Sequence, residues 1–300
     1  MGNQQTRGTT LPTLRPPLAK LTTENFPLSN SPVNFHKYLD PSKKAFQVAE
    51  FLVSAADSSR SQQDFISDIE KKQYKKIPHL SPVICIENDD SQQLCFTSKA
   101  NRIFLEVYPT SLRKLIGASG RRDFSESDIQ RMLLQGAEML AELSNYNKYH
   151  GFIIPDCIFV NLASSPVTFI FLDTEIIQSS ANFMQRNEMR NSIGAPLDPF
   201  LISALKRNAP SSFDESKDIW ALAICALSMI YNEHYLAYYN VSDLSIKMNV
   251  IEDRLRNLSQ KNIGQKVTKV LTDMLRPDVK QRISAMGIKE VLSNSWVVVK

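Results

Sequence analysis

Residues 219–231 read Ile-Trp-Ala-Leu-Ala-Ile-Cys-Ala-Leu-Ser-Met-Ile-Tyr, a run without a single charge. It is too short for a bilayer, whose crossing takes about 20 residues. A helix that is apolar on every side has to be surrounded by protein instead. The rest of the chain must therefore supply a helical domain large enough to enclose this segment. With 300 residues the chain can do so as one large unit or two smaller ones. Its 43% apolar and 22% charged residues exclude a disordered, collagenous or disulfide-framework protein. Thirty-five basic residues against 31 acidic ones leave a net charge of +4, too thinly spread to suggest a nucleic-acid partner. Cys85, Cys95, Cys157 and Cys225 stand in separate apolar stretches with no C-x-x-C pair, which predicts free thiols in a reducing compartment.

Residues 1–32 are rich in Pro, Thr, Ser and Asn and read as a flexible tail. From 33 to 107 the pattern is extended, with strands expected at 46–53, 83–86 and 103–108. One helix, 62–76, interrupts it and ends in cations before Pro78. From 108 to 300 the chain reads mainly as helices. Ser125 to Asp128 has the spacing of a capping box. Behind it Ile129, Met132, Leu133, Gly136, Leu140 and Leu143 form one apolar stripe. Two short strands, 158–160 and 167–172, flank an Asn-Leu-Ala-Ser-Ser-Pro turn. The expected fold class is α+β, a small strand-rich lobe followed by a larger helical one.

Five segments in order resemble the eukaryotic protein kinase domain. His150-Gly151-Phe152-Ile153-Ile154-Pro155-Asp156-Cys157-Ile158-Phe159-Val160 is similar to the catalytic loop H-R-D-L-K-P-E-N-I-L-V, and Phe171-Leu172-Asp173 to the D-F-G segment. Gly194-Ala195-Pro196 resembles the later G-T-P. Ser216-Lys217-Asp218-Ile219-Trp220 resembles the start of the buried helix, S-x-D-V-W. Leu275 to Ser284 resembles L-x-P-D-P-x-x-R-x-S. The N-terminal part follows more loosely, with Phe46 to Leu52 laid on the strand that ends in V-A-I-K and Phe65 to Glu70 on the regulatory helix. The resemblance implies a two-lobed fold, a hinge at Glu106 and Tyr108 that meets the adenine of ATP, and Mg²⁺ at Asp173. It also implies scaffold roles for His150, for Asp218 as a cap on the catalytic-loop backbone, and for Arg282. The acid that pairs with that arginine in the family is absent here, which leaves Asp198 as the expected partner of Arg282.

The groups that perform phosphoryl transfer are missing from these positions. The reaction is catalysed mainly by positioning and charge neutralisation. No glycine occurs from 9 to 116, and the stretch matching the phosphate loop, 29–34, contains Pro32, which has no amide hydrogen. The phosphate-clamping lysine falls at Glu50, an anion; Lys43 and Lys44 would have to reach in from the preceding turn. The acid that orients this lysine falls at Asp68 or Glu70. Phe152 replaces the catalytic aspartate, Ile154 the lysine and Cys157 the Mg²⁺-binding asparagine. His36, His79 and His234 have no neighbouring pattern of a triad or zinc site. Two functions remain in view: an inactive, pseudokinase-like domain that binds a protein partner as scaffold or allosteric regulator, and a divergent active protein kinase using ATP and Mg²⁺.

Met1-Gly2-Asn3-Gln4-Gln5-Thr6 fits the N-myristoylation pattern at Gly2, and the basic residues Arg7, Arg15 and Lys20 follow it. A flexible leader that begins Met-Gly is the plainer alternative. Without a signal-peptide core at the N-terminus, the expected location is cytoplasmic, with a membrane surface as a partner if Gly2 is acylated.

Overall fold

The computed structural model describes residues 19–24, 33–39, 45–54, 77–89, 100–117, 122–173, 196–207 and 214–293. The chain divides into two compact units. Met1–Lys76 joins Pro82–Val107, and Ile77–Ser81 joins Tyr108–Lys300.

The first unit is built on a five-stranded antiparallel sheet of β1 (Ala19–Glu24), β2 (Val33–Leu39), β3 (Ala45–Ser54), β4 (Val83–Asp89) and β5 (Ala100–Val107). The strand order is β1-β2-β3-β5-β4. β3 takes the centre because Val48 points to one face while Ala49 and Phe51 divide the alternation with it, all of them at 0% exposure. β1 corrects the expected tail over 1–32. Lys20, Leu21, Thr22 and Thr23 are all exposed, so the segment carries no apolar alternation. Backbone pairing with β2 holds it, aided by Thr23 Oγ1, which donates to Asn34 Oδ1 at 2.9 Å. A lysine and a register irregularity between Lys20 and Thr22 are usual for a strand at an edge. The helix expected over 62–76 lies outside the described residues.

The second unit contains a small sheet ordered β6 (Thr110–Ser111), β7 (Ile158–Asn161) and β8 (Thr168–Phe171). Its helices among the described residues are α1 (Leu112–Leu115), α2 (Glu126–Asn145), α3 (Pro199–Lys206), α4 (Glu215–Tyr231), α5 (Met248–Arg256), α6 (Gln265–Met274) and α7 (Ala285–Ser293). A two-stranded pair, β9 (Tyr239–Asn240) and β10 (Ser245–Ile246), completes it. α4 contains the uncharged run 219–231, and every residue from Lys217 to Met229 is buried. Asp214 caps its start by accepting from Ser216 N, and Asn232 ends it at φ 54°. None of the described helices is long and apolar enough to cross a membrane.

α2 lies against α4. It begins with the capping box: Ser125 accepts from Asp128 N and Asp128 accepts from Ser125 N. The apolar stripe ends against α4 at Gly136, where a Cβ would lie 2.7 Å from Leu222 Cδ2 and 3.2 Å from Phe171 Cζ. Glycine is thus required there for close approach. The other face of the contact explains how β8 survives as an edge strand. Its outward amides at 167, 169 and 171 donate in turn to Asp128 Oδ1 at 3.0 Å, Gln135 Oε1 at 2.8 Å and His79 O at 2.7 Å. Phe171 O accepts from Ser81 N, also at 2.7 Å. Ile77–Ser81 therefore belongs to the helical unit, which corrects the expectation that 33–107 forms a single lobe. Elsewhere the boundary between 107 and 108 coincides with the division of the chain.

Candidate functional site

In the first unit the functional question centres on Glu50. Pairing of β2 with β3 sets Asn34 opposite Glu50 and His36 opposite Val48, while β5 sets Phe104 opposite Glu50. Side chains of paired residues point to the same face, so Asn34, His36, Glu50 and Phe104 share one surface of the sheet. The Glu50 side chain is only 13% exposed. Its Oε2 accepts from His36 Nε2 at 2.6 Å and from Asn34 Nδ2 at 3.2 Å, and Oε1 lies 3.7 Å from Arg102 Nε. A carboxyl group engaged in this way supplies no cation for a phosphate and leaves the neighbouring donors already occupied.

For His36, the strand pairing brings a carboxylate from 14 positions away along the chain. His79 is a second case, with Nε2 2.8 Å from Glu138 Oε2 and backbone φ at 61°. Both partners are set by register and packing, for which a linear pattern offers no signal. Among the described residues no group of three potential metal ligands converges.

In the second unit, the segment that resembles the catalytic loop hangs from the start of α4. Asp218 Oδ2 accepts from His150 N at 2.7 Å and Oδ1 accepts from Gly151 N at 2.9 Å. Gly151 has φ 79°, a left-handed conformation that suits glycine. Phe152 N donates to His150 Nδ1 at 3.3 Å, which fixes that ring nitrogen as an acceptor. Beyond the turn, Phe152, Ile154 and Cys157 are buried at 4%, 1% and 1% exposure. Burial pushes the Cys157 thiol far above its usual range, and the nearby Asp156 carboxylate adds to this. Cys157 is therefore a packed thiol that does not ionise at neutral pH. Asp156 is itself raised by burial, against which the Arg113 charge acts in part. An aromatic ring, an aliphatic chain and a neutral thiol offer no proton acceptor and no cation.

Arg282 organises the opposite side of the same helix end. Its Nη1 donates to Asp198 Oδ2 at 3.0 Å and to Ser216 O at 2.6 Å. Nε and Nη2 both donate to Arg276 O, and the guanidinium lies 5.2 Å from the Trp220 ring centre. Both side chains of the Arg282–Asp198 pair are at 0% exposure. Asp198 Oδ1 caps α3 by accepting from Leu201 N at 2.8 Å.

The remaining predicted residues fall as follows. Asp173 is buried at 5% exposure just after β8 in the second unit. Glu106 stands near the end of β5 in the first unit, where its amide donates to Pro82 O at 3.0 Å. Tyr108 is the residue at which the second unit resumes. Gly2, Lys43, Lys44, Asp68 and Glu70 lie outside the described residues, as do Gly194 and Ala195. Comparison of the chain with protein-family models gives no match, and neither does comparison with curated proteins.

Proposed function

We propose that the chain is a catalytically inert protein-kinase-like domain that acts by binding a protein partner, as a scaffold or allosteric regulator. The observation that carries this reading is the Glu50 carboxylate, 13% exposed and held by His36 and Asn34, at the position where the resemblance calls for a phosphate-clamping lysine. Two further features support it. The α4 aspartate and the buried arginine that stabilise the helical unit are retained in working hydrogen-bond networks. The positions that would move a proton or hold Mg²⁺ carry the buried side chains of Phe152, Ile154 and Cys157. Retained scaffold with replaced chemistry is the pattern of a domain whose shape, and not whose turnover, is used. Asp173 alone keeps a charge, and one carboxylate is a poor Mg²⁺ site because the ion is normally shared with substrate phosphates.

A thermal-unfolding titration tests this. Millimolar ATP, with or without Mg²⁺, leaves the midpoint unchanged. A nucleotide bound at a hundred times its Kd would add about 2.7 kcal/mol by mass action, so a clear upward shift contradicts the reading.

A further inference from the structure

We draw no further inference here: the strongest candidate, the outer edge of β1 in the five-stranded sheet, where antiparallel pairing with a second copy would set Lys20 across from Glu24, carries nothing because the register irregularity between Lys20 and Thr22 turns those two side chains to opposite faces of the sheet, and nothing in the structure shows what covers the edge.

Discussion

Arg282→Ala lowers the free energy of unfolding by about 3–5 kcal/mol, the usual loss when one partner of a buried ion pair is removed. The truncation strands the Asp198 carboxylate at 0% exposure without its cation. It also leaves Ser216 O and Arg276 O without the donors that now serve them. Part of the cost arises from these orphaned acceptors and not from the pair itself. Arg282→Lys separates the contributions. A lysine restores the charge but, as a point donor, it cannot serve Asp198, Ser216 and Arg276 together, so it recovers less than half of the loss. Urea denaturation of both variants gives the comparison. A loss under about 1 kcal/mol for the alanine variant would show that Arg282 does not organise this end of α4.

Trp220→Ala has a similar cost, about 3–5 kcal/mol, for a different reason. Trp220 is among the largest fully buried side chains, and its removal leaves a cavity beside α4. Polar consequences accompany the lost volume. Trp220 Nε1 donates to Tyr239 Oη at 3.1 Å, and Tyr239 Oη in turn donates to Leu197 O at 3.0 Å. Tyr239→Phe removes only this relay and costs about 0.5–1.5 kcal/mol. Since the Arg282 guanidinium rests over the Trp220 ring, the alanine variants at 220 and 282 are not additive. A double-mutant cycle by urea denaturation measures the coupling. Strict additivity would mean that the ring and the cation do not interact.

Much of the helical unit could be read in advance because its signals are local. The uncharged run at 219–231 announced α4, the Ser125–Asp128 spacing announced the start of α2, and the stripe through Gly136 announced the face that meets α4. The partner of Arg282 could be reached because Asp198 was an acid near the vacant position. What escaped was fixed by pairing at a distance. β1 is held by backbone bonds and has no apolar alternation to betray it. Ile77–Ser81 joins the helical unit through hydrogen bonds between its own backbone and that of Phe171, which no side-chain pattern encodes. The surroundings of Glu50 depend on the register of β2 against β3, and a shift of one residue would send His36 to the other face. Glu50 itself was visible in the sequence, but the His36 and Asn34 side chains that hold it were not.

Transfer of the γ-phosphoryl group is the most direct test of an inert domain. Homogeneous wild-type protein is incubated with γ-labelled ATP, Mg²⁺ and a generic protein acceptor, beside an Asp173→Ala variant. The expected result is label on neither the protein nor the acceptor, at the background set by heat-denatured protein. Label that appears with the wild-type chain and disappears with Asp173→Ala would contradict it.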